Sequence, residues 1–217
     1  MALAAESAFE EQRRRMVEEQ LRDRGITDRR VLEAMARVPR HRFAPERFRS
    51  QAYENHPLPI AEEQTISQPF IVALMLQALA LQPSDRVLEV GTGSGYVTAL
   101  LAELAGEVVS IERHAALADA ARELLAQLGY DQPKVIVGDG CQGYPPRAPY
   151  DAILVSAAAV KVPPALVEQL AKDGRMILPV GSEDAQQLQF LRMQDGQLHI
   201  ELRELCRFVP LIASVTK

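Results

Sequence analysis

The sequence predicts an α/β fold: a mostly parallel, twisted sheet with helices on both faces, an N-terminal helical extension and a C-terminal antiparallel hairpin. Three observations support this prediction. Short apolar segments alternate with helical patterns between residues 87 and 180, as in folds with parallel strands. Helical apolar periodicity occupies much of the chain before residue 82. Near the end, Asp195-Gly196 separates two strand-like segments and is a strong hairpin-turn signal.

The N-terminal extension is predicted to contain three helices. The first covers residues 7–24 and ends at a glycine. Thr27 is predicted to cap the second helix, which presents one apolar face and ends before Pro39. After a loop over residues 57–69, a third helix covers residues 70–81 and leads into the first strand of the sheet.

The sheet is predicted to consist of strands joined by right-handed crossovers, because strand and helix patterns alternate. Predicted strands cover residues 87–90, 108–112, 135–137, 152–155 and 175–180, and the intervening helices include residues 114–128 and 164–170. The two hairpin strands cover residues 188–193 and 198–206.

Composition excludes several classes of protein. The net charge is −5, and no Lys/Arg-rich face with interleaved aromatics is visible, so we expect no nucleic-acid partner. The sequence contains no signal peptide pattern and no apolar stretch long enough to span a membrane. Cys141 and Cys206 fit no metal spacing and no disulfide framework, so we predict no metal and a reducing, cytoplasmic location.

A glycine-rich loop follows the first predicted core strand. Gly91, Gly93 and Gly95 occupy alternate positions between the strand and the next helix. Glycine lets a ligand approach the backbone, and the helix behind the loop presents unpaired N–H groups. A dinucleotide fingerprint would place its third glycine at position 96, where this chain has Tyr96. The loop therefore favours S-adenosylmethionine over NAD.

Acidic residues occur at three successive strand ends, where α/β sheets bind ligands. Glu112, about 20 residues after Gly91, is the predicted ribose ligand, and Asp139 is predicted to accept a hydrogen bond from the adenine amino group. The full set predicted to bind the cofactor is Thr65, Ser67, Glu89, Gly91, Thr92, Gly93, Ser94, Gly95, Glu112, Arg113, Asp139 and Gly140.

The acceptor is indicated by a resemblance that covers nearly the whole chain. The segments Leu58-Pro59-Ile60, Gln64-Thr65-Ile66-Ser67-Gln68-Pro69 and Arg207-Phe208-Val209-Pro210-Leu211 closely resemble the protein-L-isoaspartate O-methyltransferase family. The glycine loop is shared by many methyltransferases, whereas these segments are much more specific. Without this resemblance, the residue types identify the protein only as a methyltransferase.

The resemblance implies a Rossmann-like, S-adenosylmethionine-dependent enzyme that methylates the α-carboxylate of L-isoaspartyl residues in damaged proteins and peptides. The ester then cyclises to a succinimide, whose hydrolysis returns some normal aspartate, so the activity is repair. The resemblance also implies that Ser67 is the active-site residue. Residues expected to contact the acceptor are Ile60, Ser67, Ser156, Ala157, Ala158, Arg207 and Val209.

We therefore predict one methyltransferase domain over residues 1–217, acting as a monomer on isoaspartyl peptides and proteins. Residues 1–82 form the helical and acceptor-loop segment, residues 83–182 the cofactor-binding core, and residues 183–217 the C-terminal hairpin and rim. No general base is required, because a carboxylic acid with a pKa near 4 is ionised at neutral pH.

Alternatives remain open from the sequence. Ser67 lies near the start of a helix, so its hydroxyl could serve only as a cap. The acceptor could be a small-molecule carboxylate or amine, or the chain could bind an adenosine ligand without turnover; an NAD oxidoreductase is the least favoured. Two departures from the family pattern affect the acceptor side: Ala61-Glu62-Glu63 replaces a glycine-containing stretch, and Ser156 replaces a more common threonine.

Overall fold

A seven-stranded sheet organises the structure, a computed structural model that describes residues 2–182 and 184–213. The strands among these residues are β1 (Leu58–Pro59), β2 (Thr65–Ile66), β3 (Arg86–Val90), β4 (Glu107–Glu112), β5 (Lys134–Val137), β6 (Tyr150–Val155), β7 (Leu170–Gly181), β8 (Gln186–Gln194) and β9 (Gln197–Cys206). Strands β1 and β2 form a separate small hairpin. Residues 1, 183 and 214–217 of the predicted N- and C-terminal segments lie outside the described residues.

The order of strands in the main sheet is β5-β4-β3-β6-β7-β8-β9. The first five pair in parallel, whereas β8 is antiparallel to β7 and β9 is antiparallel to β8. From β3 the chain first builds one side of the sheet through β4 and β5, and then returns to build the other side from β6. The carboxyl ends of β3 and β6 therefore flank a topological switch point, where open α/β sheets bind ligands. The predicted fold class is confirmed.

Helices cover both faces of the sheet, but unequally. They are α1 (Ala2–Arg15), α2 (Arg29–Arg37), α3 (Arg40–Phe43), α4 (Pro69–Leu79), α5 (Tyr96–Leu104), α6 (Ala115–Gln127) and α7 (Pro164–Val167). The larger apolar cluster includes side chains from α2, α4, α5 and α6, and the smaller one receives Leu166 from the four-residue α7. One face is therefore thickly covered, and the other has a short helix and irregular segments.

The N-terminal helical segment differs from the prediction in two details. Helix α1 continues through a π-helical turn, Met16–Leu21, and a 3₁₀ turn, Arg22–Arg24, before Gly25 ends it in the left-handed region. The cap predicted for Thr27 is wrong. The Asp28 carboxylate caps α2 by accepting hydrogen bonds from the Arg30 and Val31 N–H groups, because it immediately precedes the first helical residue.

The helix predicted over residues 164–170 is also shorter than expected. It ends at Val167, and Leu170 already belongs to β7, where it pairs with Tyr150. The intervening Gln169 is buried, and its side chain accepts from the Tyr144 N–H and donates to the carbonyl oxygens of Gln142 and Ala165. These contacts hold the chain in a bend that helical periodicity could not reveal.

The loop predicted over residues 57–69 contains the β1–β2 hairpin, whose turn the sequence does not favour. The Gln64 N–H donates to the Ala61 carbonyl at 3.1 Å, and the two central residues, Glu62 and Glu63, both have φ of 56°. Two successive positive φ values are typical of a type I′ turn, in which Asn-Gly is preferred. Two glutamates therefore occupy a turn that is strained for residues with a Cβ.

We predict that Glu63→Gly stabilises the protein. Glycine adopts φ of 56° without the Cβ penalty, which amounts to about 1 kcal/mol. Equilibrium unfolding in urea measures the gain, and Glu63→Ala is the matched control because it removes the charge but keeps the Cβ. Equal effects of the two substitutions would show that charge, and not backbone strain, sets the cost of this turn.

Candidate active site

A cavity lies at the carboxyl ends of β3, β4 and β6, beneath the β1–β2 hairpin. Its lining includes residues from the glycine loop, from the hairpin and from the segment after β9. The lining residues are Gln64, Thr65, Ile66, Ser67, Val90, Gly91, Thr92, Gly93, Ser94, Tyr96, Val97, Ile111, Glu112, Arg113, Gly140, Ser156, Ala157, Val209, Pro210, Leu211 and Ile212. Most of the predicted site residues are therefore brought together here.

The glycine loop forms a backbone cradle whose positive φ values are rarely adopted by residues with a Cβ. Gly91 has φ of 94°, and a Cβ on it would lie 3.5 Å from the Ser156 Cβ. Gly93 has φ of 53°, and its Cβ would lie 3.7 Å from the Ile60 Cδ1. At Gly140 a Cβ would come within 2.3 Å of the Val90 Cγ1. Glycine is therefore required by the positive φ at Gly91 and Gly93, and by the close approach to Val90 at Gly140, which lies outside the loop.

Glu112 at the end of β4 links the glycine loop to the next strand. Its Oε2 accepts from the Gly93 N–H, and its Oε1 accepts from the His114 N–H, each at 2.9 Å. These two backbone bonds fix the carboxylate in the cavity wall. Each carboxylate oxygen has a further lone pair, which a diol such as ribose can use.

Glu89 does not reach the cavity, which corrects the prediction that it contacts the cofactor. Its side chain is completely buried, and its Oε2 accepts from the Thr98 and Ser110 hydroxyls at 2.6 Å each. The Ser110 hydroxyl also shares a 2.5 Å hydrogen bond with the Thr92 hydroxyl in the glycine loop. Burial raises the pKa of the Glu89 carboxyl to about 8. Glu89 is therefore a neutral acid behind the loop at neutral pH.

Asp139 also lies beside the cavity and not in its described lining, although its neighbour Gly140 lines it. Its Oδ1 accepts from the Cys141 N–H at 2.9 Å and so caps a 3₁₀ turn.

Three other predicted site residues also lie outside the cavity lining. Gly95 is the residue before α5 and has φ of 88°, which shapes the start of that helix. Ile60 and Ala158 support the cavity from outside: Ile60 packs near Gly93, and Ala158 bonds to the segment after β9.

A second groove meets this cavity at Ser67. It is lined by Pro57, Ser67, Gln68, Ile71, Leu205, Cys206, Arg207 and Phe208. We call this set the outer groove. Ser67 is the one residue common to the described lining of the cavity and of the outer groove. Arg207, predicted to contact the acceptor, lines only the outer groove, whereas Val209 lines only the cavity.

Ser67 does not cap α4. The residue at the cap position is Gln68, whose side chain makes no capping hydrogen bond, and Pro69 opens the helix. The Phe70 N–H in the first turn donates to the Asn55 side-chain oxygen and not to Ser67. Proline at this position removes one of the N–H groups that a cap would satisfy. The structural alternative for Ser67 is therefore contradicted, and its hydroxyl is left at the junction of cavity and groove.

Several lining residues were not predicted. Four of them lie within two positions of predicted site residues in the sequence: Gln64, Ile66, Tyr96 and Val97. Three others come from the segment after β9: Pro210, Leu211 and Ile212. The Ala158 N–H donates to the Val209 carbonyl, and the Leu211 N–H donates to the Ala158 carbonyl, both at 2.7 Å. This long-range pairing brings the C-terminal segment over the cavity, and local sequence patterns cannot reveal it.

Tyr96 is supported by a buried cation. The Arg40 guanidinium lies 4.8 Å from the centre of the Tyr96 ring, and both residues are buried. Burial lowers the pKa of Arg40 and raises the pKa of Tyr96 to about 12, so the tyrosine stays neutral. The contact holds an aromatic wall at the start of α5.

The lining of the cavity suits an adenosine-containing ligand. The backbone cradle, the Glu112 carboxylate and the apolar walls formed by Val90, Ile111 and Leu211 suit adenosine. Among the described residues no group of three His, Cys, Asp or Glu side chains is placed to hold a metal ion. No helix in the described part of the chain is long and apolar enough to cross a membrane. Fold and site together define an S-adenosylmethionine-dependent methyltransferase of the Rossmann-like class.

Comparison with known proteins identifies the family. Residues 11–216 match the family described as Protein-L-isoaspartate(D-aspartate) O-methyltransferase (PCMT). The protein-L-isoaspartate O-methyltransferase of Methanoculleus marisnigri is 55% identical over 93% of this chain and 91% of its own length. That of Koribacter versatilis is 53% identical over 96% of this chain and 94% of its own length. The chain belongs to this family.

Solved structures agree. A protein-L-isoaspartate O-methyltransferase superimposes with a TM-score of 0.83 at 29% identity, covering 91% of this chain and 65% of that longer chain. The beta-aspartate methyltransferase (PCMT) from Plasmodium falciparum, in complex with S-adenosyl-L-homocysteine, gives a TM-score of 0.80 at 28% identity over 92% of this chain and 98% of its own. The cofactor of this family is S-adenosylmethionine.

We predict that Glu112→Gln weakens cofactor binding. An amide offers one acceptor oxygen where the carboxylate offers two, so a backbone N–H or a ribose hydroxyl loses its partner, which corresponds to about a tenfold rise in Kd. Calorimetric titration with S-adenosylhomocysteine measures the change. Glu107→Gln, at the opposite end of β4, is the matched control. If both variants bound like the wild type, Glu112 would have no role in the site.

We predict that Glu89→Gln makes the unfolding free energy less dependent on pH. The pKa of Glu89 is raised in the folded state, so the protein loses stability as pH rises from about 4.5 through about 8, by up to a few kcal/mol. Glutamine does not titrate and so avoids this loss. Urea unfolding at pH 5 and pH 9 measures the difference. Parallel pH dependence in the two proteins would contradict a buried neutral acid at this position.

Proposed function

We propose that this protein transfers the methyl group of S-adenosylmethionine to the α-carboxylate of L-isoaspartyl residues in damaged proteins and peptides. The observation that carries this proposal is the position of Ser67, at the junction between the cofactor cavity and the outer groove. A reacting group held there meets a methyl donor from one side and an acceptor chain from the other. The names of the family and of its members support the choice of acceptor.

The acceptor needs positioning and desolvation, not deprotonation. A carboxylate is already ionised at neutral pH, so no general base has to remove a proton. When bound, S-adenosylmethionine supplies an electrophilic methyl group on a sulfonium. Ser67 donates one hydrogen bond that orients the attacking carboxylate. Attack neutralises charge, so a site that excludes water and still orients the carboxylate favours the transition state.

The remaining site residues divide between the two ligands. For the cofactor, Glu112 would accept from the ribose hydroxyls, and the loop from Gly91 to Gly95 would hold the methionine part. Thr65, Arg113 and Gly140 border the same cavity. Asp139, beside the cavity, would accept from the adenine amino group. For the acceptor, contacts come from Ile60, Ser156, Ala157, Ala158, Arg207 and Val209. Small side chains at positions 156–158 leave space for a peptide beside Ser67.

The outer groove favours a polypeptide over a small-molecule acceptor. A small carboxylate would need only the cavity, whereas the groove extends from Ser67 to the end of β9 and contains the exposed Arg207. Arg207 offers a cation that can pair with acidic or carbonyl groups of a bound chain. A protein that only binds an adenosine ligand would have no use for a groove opening onto the site.

We also propose that the protein acts as a monomer in the cytoplasm. The cavity and the outer groove are both formed by residues of one chain, so the site requires no second copy. Cys141 and Cys206 are both free thiols, which suits a reducing compartment. Light scattering during size-exclusion chromatography measures the oligomeric state.

Paired peptides test the activity directly. Peptides that differ only in L-isoaspartate or L-aspartate are incubated with methyl-labelled S-adenosylmethionine, and base-labile methyl ester is counted. Selective labelling of the isoaspartyl peptide is expected. Labelling of a small carboxylate in preference to the peptide would support the small-molecule alternative, and binding of cofactor without any labelling would support a non-catalytic role.

We predict that Ser67→Ala lowers kcat by about tenfold or more, because one hydrogen bond to the reacting carboxylate is lost. Single-turnover assays with the isoaspartyl peptide measure this step. The Tm should stay within about a degree, because Ser67 makes no capping bond. Cofactor Kd serves as the internal control. An unchanged kcat together with a lower Tm would show that Ser67 has a structural role and not a catalytic one.

A further inference from the structure

Strand β9 is an exposed edge with an unusual concentration of apolar side chains. It is the last strand in the order of the sheet, so its outer edge has no strand partner among the described residues. Ile200, Leu202 and Leu205 are 51%, 61% and 78% exposed, and they are half of the large, exposed apolar residues in the described chain. Edge strands normally carry charges or are covered, because free backbone groups invite pairing. In β9 the exposed acids Glu201 and Glu204 lie between the apolar residues but do not replace them.

The register places these side chains on one face. Ile200 pairs with Leu191, Leu202 with Gln189 and Leu205 with Gln187. Directly paired residues of antiparallel strands point to the same face, and residues 187, 189 and 191 share a face because they alternate by two. The irregularity between Gln187 and Gln189 supplies one extra residue in β9, which returns Leu205 to the face of Ile200 and Leu202. We call these three side chains the apolar stripe.

The stripe meets the outer groove at one residue. Leu205 belongs to it and also lines the outer groove, which it shares with Cys206, Arg207 and Ser67. Along a strand, the five positions from Ile200 to Leu205 correspond to about 17 Å. A chain bound in the groove can therefore continue along the edge of β9 without leaving the protein surface.

We propose that the outer edge of β9 is a docking strand for the acceptor: an extended segment flanking the isoaspartyl residue pairs with its backbone and packs apolar side chains beside the stripe. This inference rests on the proposed function. Backbone pairing supplies affinity that is independent of sequence, and the stripe favours apolar flanks. Only a segment without its own secondary structure can add to the edge, so docking selects locally unfolded chains over folded ones.

Peptides of two lengths test this proposal. A short isoaspartyl peptide is compared with versions extended by about eight residues of alternating valine and threonine on the N-terminal or the C-terminal side. We expect one extension to raise kcat/KM by about tenfold, and N-methylation of alternate backbone amides in that extension to remove the gain. No gain from either extension, or a gain that survives N-methylation, would overturn docking by strand pairing.

Substitutions in the apolar stripe test whether the gain in kcat/KM from peptide extension depends on these side chains. The double variant Ile200→Lys and Leu202→Lys should lose the gain from extension while methylating the short peptide like the wild type. A second pair, Ile200→Ser and Leu202→Ser, removes the apolar area without adding charge. Gln194→Lys, at the exposed turn end of the β8–β9 hairpin, is the control for an added charge. A gain that persists in both stripe variants overturns the proposal.

The short peptide separates this inference from the function on which it rests. If the short isoaspartyl peptide is methylated but extension does not raise kcat/KM, only the proposal of a docking strand is overturned. If no isoaspartyl peptide of any length is methylated although the cofactor binds, the proposed function itself fails.

Discussion

The site depends on the two backbone hydrogen bonds of Glu112. Through them the carboxylate ties the Gly93 N–H of the glycine loop to the His114 N–H at the start of α6, each at 2.9 Å. A loop with three positive-φ glycines has little intrinsic stiffness, so an external anchor must define its position. The anchor is placed by the sheet, because the parallel pairing of Val90 with Ile111 sets Glu112 beside the loop. One acid thus fixes the cradle and presents its remaining lone pairs to a ligand.

Glu89 reinforces the same loop from the interior. It occupies the strand before the loop, and its bonds with Thr98 and Ser110 join β3, α5 and β4, while Ser110 continues to Thr92. A charged carboxylate enclosed in this way would be costly, and the raised pKa of about 8 keeps it neutral. The protein therefore places one acid, Glu112, in the wall of the cavity and another, Glu89, two strand positions before the loop, as an uncharged support behind it. Position relative to the sheet edge, not residue type, separates the two roles.

The regular core was predictable because its signals are local. Strand and helix alternation, the glycine loop and Asp195-Gly196 each specify structure within a few residues, and the predicted fold class follows from them. The errors have both local and distant causes. Asp28, one residue after Thr27, is the cap of α2, and buried Gln169 ends α7 early through bonds to the segment Gln142–Tyr144 and to Ala165 within the helix. At the site, Glu89 and Asp139 were assigned by their positions after or near strand ends, yet burial and local turn geometry keep both out of the described lining.

The β1–β2 hairpin couples the two halves of the site. Within three consecutive residues, Thr65 borders the cofactor cavity, Ile66 lines it from a buried position, and Ser67 faces both cavity and outer groove. Any movement of the hairpin therefore changes cofactor enclosure and acceptor orientation together. The strained turn at Glu62 and Glu63 lies at the tip of this hairpin, and the Glu62 Oε2 lies 3.5 Å from the Nδ1 of His114, whose backbone N–H donates to Glu112. The cavity and the outer groove thus share the short segment from Thr65 to Ser67, so the proposed function places both ligands against the same three residues.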